Sequence, residues 1–286
     1  MLKNEKLYYI GGVVRDEFLG IKSFDTDYCY EGNAIDFAKK SELNIVKENP
    51  AFGTVKVILD NKEIDIASTR KESYPLKGHL PKVNCIGCPL KEDLIRRDFT
   101  INAMAKRTTD NAITDYYGGV EDIKNKTLKV LHKHSFIDDP TRILRGLKFS
   151  VRFNFNLSDE TFALQEEYLK NINYDMSYHR LKKELQDSFN LNKAEVFDKF
   201  NEYGLYKLLG TNTKKSPLLG KTIQEAANTI KTEHIWLFYA APFINEETLL
   251  PLTRSEKRII EWVCRLKTQV PVNNTPKESI IIKELL

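Results

Sequence analysis

The apolar positions change period part-way along the chain. Leu7-Tyr8-Tyr9-Ile10 is a short continuous apolar run and reads as a buried strand. Gly11-Gly12 turns it, and residues 13–19 open a helix capped by Gly20. Residues 24–30 alternate as a strand, 34–42 as a helix, and 54–59 and 63–68 pair as a hairpin across Asp60-Asn61. Residues 71–92 hold three prolines, two glycines and no period, and so read as a mobile loop. One more strand region follows Phe99, then a turn at Asp115-Tyr116-Tyr117-Gly118-Gly119. From about Pro140 the spacing is helical: Ile143, Leu144, Leu147 and Val151, then Phe162, Leu164 and Leu169, then Leu181, Leu185 and Phe189. Further helical stretches lie near 193–209, 222–245 and 253–268, with 210–220 polar, turn-rich and hinge-like. A mixed α/β module followed by an all-helical one is the expected architecture.

The length of 286 residues suits two or three modules, and the balance of 41% hydrophobic and 29% charged residues is that of a soluble globular protein. The apolar run at 235–244 is too short to span a bilayer and contains Pro242, so no membrane partner is expected. The first six residues lack the apolar core of a signal peptide, which makes the cytoplasm the expected location. Four cysteines, Cys29, Cys85, Cys88 and Cys264, fit reduced thiols; Cys85 and Cys88 form half of a zinc ribbon at most and read as an incidental loop pair. The net charge of +4 does not by itself point to nucleic acid, and Lys182-Lys183, Lys214-Lys215 and Arg254 with Lys257-Arg258 read as solvated basic faces.

Three clusters carry chemistry. In the first, Gly11-Gly12 lets backbone N–H groups approach a phosphate, and Arg15 adds a fork of donors. Asp25 and Asp27 follow at a spacing of two, which on a strand puts both carboxylates on one face, an arrangement suited to Mg²⁺ with substrate phosphates completing the shell. Phosphate cradle and metal site together read as nucleotidyl transfer. The second cluster, Arg96-Arg97-Asp98, can hold a triphosphate and a ribose hydroxyl, although alone it would pass for a surface ion pair worth about 0–1 kcal/mol. In the third, Asp139 caps a helix with Pro140 in its first turn, and Arg142, Arg145 and Lys148 recur every three residues as a cationic stripe. A carboxylate and a guanidinium on such a helix can pair with the edge of a base.

In this order the clusters resemble the class II tRNA nucleotidyltransferase and bacterial poly(A) polymerase family. The likeness covers about residues 7–190: the GGxVRD element with its DxD, Glu92-Asp93-Leu94-Ile95 before RRDFTINAMA, the DYYGG turn, and the acidic DPxRILR helix. It implies an α+β fold with a polymerase-β-like nucleotidyltransferase head (1–125), followed by an all-α neck (126–190) and an RNA-binding body (191–286). Carried over by position, Asp25 and Asp27 would bind two Mg²⁺ ions, Gly12 and Arg15 would contact the triphosphate, and Arg97 would bind nucleotide. Asp139 and Arg142 would form the protein template selecting CTP or ATP, with Arg145 and Lys148 near phosphates and Asp65 a candidate third carboxylate. The loop at 71–92 would move as specificity changes from C to A.

The chain departs from the family pattern at Asp138, where glutamate is usual, and at Lys148, where arginine is usual. The later neck motif reads His179-Arg180 to Glu184, whose last two members stand one turn apart and can pair. With Leu286 as the last residue, the body is expected to be short and the tail gripping the tRNA elbow reduced. The expected activity is addition of CCA to the tRNA 3′ acceptor end from CTP and ATP, with pyrophosphate released. CC-only addition, A-only addition and poly(A) synthesis share its residues, while a non-catalytic RNA-binding module is disfavoured by the intact carboxylates and arginines.

Overall fold

A computed structural model describes residues 2–260 apart from 24–25, 217–218, 229–231 and 246–247. The chain forms two compact units: Met1–Asp138 with Phe155–Phe162, and Asp139–Asn154 with the residues from Ala163 onward.

The first unit is built on nine strands and five helices: β1 (Leu7–Ile10), α1 (Gly12–Phe18), β2 (Asp27–Tyr30), α2 (Ala34–Lys40), β3 (Asn44–Asn49), β4 (Thr54–Leu59), β5 (Lys62–Ser68), β6 (Arg70–Ser73), β7 (Lys82–Ile86), α3 (Leu90–Ile95), β8 (Met104–Arg107), β9 (Ile113–Asp115), α4 (Gly119–Lys124) and α5 (Ser135–Asp138). A short parallel pair, β10 (Thr127–Leu128) and β11 (Asn156–Leu157), completes it. Seven strands make one mixed sheet in the order β3-β4-β5-β2-β1-β8-β9, with β2 and β5 parallel and the other neighbours antiparallel. The unbroken apolar run of β1 follows from its central place. Leu7 packs with Tyr28, Val55, Ile66 and helix α2 on one face, whereas Tyr8 and Ile10 pack with Cys29, Ala105 and helix α3 on the other. The hairpin across Asp60-Asn61 forms as expected; both residues adopt positive φ (50° and 60°), the two-residue turn whose twist matches the strands it joins.

One expectation is corrected here, and one strand was not foreseen. Residues 71–92 are not a structureless loop: β6 and β7 pair as an antiparallel ribbon, and α3 follows. Pro75, Gly78 and Pro81 are confined to the connection 74–81, so the breakers that mask the pattern lie between the strands. Strand β3, absent from the sequence reading, is an edge strand whose bulge between Ile45 and Lys47 interrupts the alternation that would have revealed it.

The second unit contains α6 (Thr141–Phe153), α8 (Tyr178–Phe189), α9 (Ala194–Glu202), α10 (Leu219–Asn228) and α11 (Ile235–Ala240), with short 3₁₀ turns at Leu205–Leu209 and Ala241–Phe243. Between α6 and α8 in sequence, α7 (Asp159–Lys170) starts in the first unit and ends in the second. Ile143, Leu144, Leu147 and Val151 on α6, and Leu181, Leu185 and Phe189 on α8, are buried as their spacing requires. Phe189 extends this core, stacking on Tyr239 with ring centroids 5.6 Å apart and meeting Phe200 edge-on. Helix α7 turns a different face inward from the one expected: Thr161, Gln165, Tyr168 and Leu169 are buried, and Phe162 and Leu164 only half so. Helix α10 begins at Leu219, so Gly220 belongs to a helix rather than to the turn-rich stretch before it. The last expected helix is present over 254–260, while its remainder and Cys264 lie outside the described residues. Among the described residues no helix is long and apolar enough to cross a membrane.

Candidate active site

Strand register brings the first cluster together. Asp27 opens β2, and its partner across the parallel pair is Asp65 on β5. Register partners on adjacent strands face the same side, so the two carboxylates stand on one face of the sheet. Both are exposed, and Lys56 approaches Asp65 at 3.6 Å. Asp25, the other expected metal carboxylate, lies outside the described residues. On the opposite flank β1 runs antiparallel to β2 with Tyr9 against Tyr28, so the glycine turn that follows Ile10 emerges beside Asp27. Gly11 sits at φ 68°, ψ −122°, a backbone conformation that side chains disfavour, and a Cβ there would lie 3.1 Å from Arg97 Nη1. Among the described residues no group of three or more Asp, Glu, His or Cys side chains forms a metal site. The oxygen donors of Asp27 and Asp65 are nonetheless the kind that Mg²⁺ takes.

Arg15 is buried beneath this turn. Its Nε and Nη2 donate to Asp16 Oδ1 at 2.9 and 2.6 Å, and its Nη1 donates to Asn102 Oδ1 at 2.6 Å. Asn102 Nδ2 in turn donates to Asp98 Oδ1, which also accepts the Phe99 amide. The first two clusters are thus one hydrogen-bonded body, with Asn102 a joint that the sequence reading missed.

Asp93 was also missed, although its positions three and four residues before Arg96 and Arg97 on a helix could have signalled it. Its fully buried carboxylate accepts from Arg96 at 2.8 Å and from Arg97 at 3.2 Å. Burial alone would raise its pKa, but Arg97 and Arg96 outweigh that and hold it below the ordinary carboxylate value. Asp115 is a third missed residue: its carboxylate accepts the amides of Tyr117, Gly118, Gly119 and Val120, fixing the DYYGG turn at the start of α4.

In the second unit, Asp139 Oδ1 accepts from the Thr141 amide at 3.2 Å and from its hydroxyl at 2.6 Å, and Oδ2 accepts from Arg180. The expected cap is therefore made, with Pro140 already helical. The expected cationic stripe is not one solvated edge. Arg142 is buried, Arg145 pairs with Glu184 at 3.1 Å, and Lys148 reaches Glu184 at 2.7 Å and Asp187 at 3.2 Å. Arg180 and Glu184, expected to pair with each other, instead hold Asp139 on one side and the two cations of α6 on the other. Within the first unit, the tip of the β6–β7 ribbon is tied to Asp138: Lys77 Nζ lies 2.6 Å from its carboxylate and the Gly78 amide donates to its carbonyl.

A glycine turn, an arginine-rich helix end and a carboxylate-bearing mixed sheet come together in the first unit. Residues 7–129 match the family described as the Poly A polymerase head domain. The chain is 46% identical over 169 residues to the A-adding tRNA nucleotidyltransferase of Aquifex aeolicus (strain VF5), covering 57% of this chain and 20% of that protein. It is 37% identical over 164 residues to the Multifunctional CCA protein of Herminiimonas arsenicoxydans, covering 56% and 38% respectively. A solved structure of a CCA-adding enzyme in its apo form II superposes with a TM-score of 0.78 at 28% identity, covering 98% of this chain and 74% of that one. Over these stretches the chain is similar to tRNA nucleotidyltransferases, as its motifs led us to expect, and the match spans well under half the length of these two curated relatives.

Proposed function

We propose that this protein is a template-independent RNA nucleotidyltransferase that adds CCA to tRNA 3′ ends from CTP and ATP, working in the cytoplasm. The observation that supports this best is the pairing of Asp27 with Asp65 beside the glycine turn. In this reading residues 1–125 are the catalytic head, 126–190 the neck that selects the base, and 191–286 the body that binds RNA. Asp25 and Asp27 hold Mg²⁺, and Gly12, Arg15 and Arg97 receive the triphosphate. Arg15 braces the turn through Asp16 and Asn102. Asp139 and Arg142 read the base, with Arg145 and Lys148 serving phosphates. The RNA 3′-hydroxyl attacks the α-phosphorus and pyrophosphate leaves. Mg²⁺, when bound, lowers the pKa of that hydroxyl and neutralises charge on the leaving group. The protein's own contribution is positioning and electrostatics.

A second reading, addition of the terminal A alone, is favoured by the identity with an A-adding relative. Transcripts of tRNA lacking the last one, two or three nucleotides, each incubated with a single NTP and Mg²⁺ and then sequenced, decide between them. C incorporated on the two shorter transcripts and A on the longest supports CCA addition. A added only to the longest supports the second reading, long A tails on any RNA indicate poly(A) synthesis, and no incorporation overturns all three.

A further inference from the structure

We propose that Asp93 is a positioning residue, which sets the nucleotide affinity of the head by holding the Arg97 guanidinium against the glycine turn. The inference rests on the reading of Arg97 as a triphosphate ligand. Asp93 has no exposed side-chain surface, and each of its oxygens is used. Oδ1 accepts Arg96 Nε at 3.0 Å, Arg96 Nη2 at 2.8 Å and the backbone amide of Arg70 at 3.0 Å, while Oδ2 accepts Arg97 Nη2 at 3.2 Å.

Arg96 has a second buried anchor, Glu72, whose Oε1 takes its Nη1 at 3.2 Å and Arg70 Nε at 2.6 Å. Arg97 stands differently. Its hydrogen bond runs to Asp93, its Nε is buried without a partner, and its Nη1 lies against Gly11. The guanidinium is thus fastened through Nη2 by Asp93 while its Nη1 lies toward the glycine turn, where phosphate oxygens would accept from it. Freed from Asp93, its long side chain would sample many rotamers, and the ordering cost would fall on nucleotide binding.

The test is a double-mutant cycle. ATP affinity is measured by calorimetric titration for the wild type, D93N, R97M and D93N/R97M, alongside KM and kcat for A addition and the thermal midpoint. We expect D93N to weaken ATP binding about tenfold or more while kcat changes less than about threefold, since a charge-assisted hydrogen bond acts here only through the ground-state grip on nucleotide. R97M should weaken ATP binding comparably, and D93N should add nothing to it. Additive losses in the double variant, or a D93N protein of lowered midpoint with wild-type ATP affinity, would overturn the proposal. An R97M protein with unchanged affinity would instead remove the reading of Arg97 beneath it. Should D93N fail to fold, D93E carries the test: it keeps the charge but moves the carboxylate by one methylene, so folded D93E with wild-type ATP affinity would also overturn the proposal.

Discussion

Two carboxylates side by side on neighbouring strands repel each other, a cost that an active site tolerates when a cation is to be shared between them. Asp27→Ala should therefore abolish nucleotide incorporation while leaving the thermal midpoint unchanged or slightly raised; incorporation by a folded variant would contradict the assignment. Asp115 works in the opposite sense, for stability alone. Asp115→Ala strips four backbone amides of their acceptor and should cost about 1–3 kcal/mol in chemical denaturation. Gly119→Ala should destabilise the same turn, because the new Cβ would lie 2.3 Å from the Thr100 carbonyl oxygen. Thiol labelling at neutral pH should modify exposed Cys85 well before buried Cys88, whose thiol burial pushes up to about 11. Residues such as Gly11, Asp27 and Asp139 were legible in the sequence because their chemistry is written in adjacent letters. Asn102 was not, because its meaning depends on Arg15, 87 positions away.

Elements were legible where one face is uniformly apolar. β1, the β4–β5 hairpin, α6 and α8 all bury the positions their spacing announces. Reading failed where polar residues do the packing: α7 turns Thr161 and Gln165 inward, and the β6–β7 ribbon carries an Arg70–Glu72 pair along β6 and a Ser73–Asn84 bond across to β7 rather than an apolar stripe. The same limit applies to α6, whose cations are spaced like a solvated edge yet are engaged by Glu184 and Asp187 on α8. If Arg142 on this helix reads the base, Arg142→Ala should lower discrimination of CTP and ATP against UTP and GTP by about 1–3 kcal/mol per lost edge contact. Competition assays with mixed NTPs measure it, and retained selectivity would mean that α6 is not the template.

At the scale of the whole molecule, each unit carries a buried acid held ionised by cations: Asp93 in the first and Glu256, paired with Lys182 at 2.6 Å, in the second. Burial opposes the charge in both, and the cationic partners and hydrogen bonds outweigh it, so both carboxyls titrate below their unfolded values. The stability they contribute is complete above the ordinary carboxylate range, about pH 4, and is lost as pH falls through the folded values. Acid titration followed by circular dichroism should accordingly show both units weakening below that point. The exposed cations Lys214, Lys221, Arg254, Lys257 and Arg258 suit phosphate contacts, so log affinity for tRNA should fall linearly with log salt, by about 0.7–0.9 per contact. A salt-insensitive affinity would exclude that mode. The sheet itself sets the order in which the first unit can be completed. β1 lies between β2 and β8, with Tyr8 opposite both Cys29 and Arg107, and the parallel β2–β5 pair joins strands separated in sequence by α2, β3 and β4. The hairpins β4–β5 and β8–β9 are local and form early, whereas sealing β1 between its neighbours waits on contacts far apart in the chain. On the ribosome, a nascent chain that has emerged only as far as β5 holds both Asp27 and Asp65 but has no Asn102 for Arg15 and no strand to cover the far side of β1. If the first unit binds nucleotide as proposed, it can do so only once β8, which ends at Arg107, has cleared the exit tunnel.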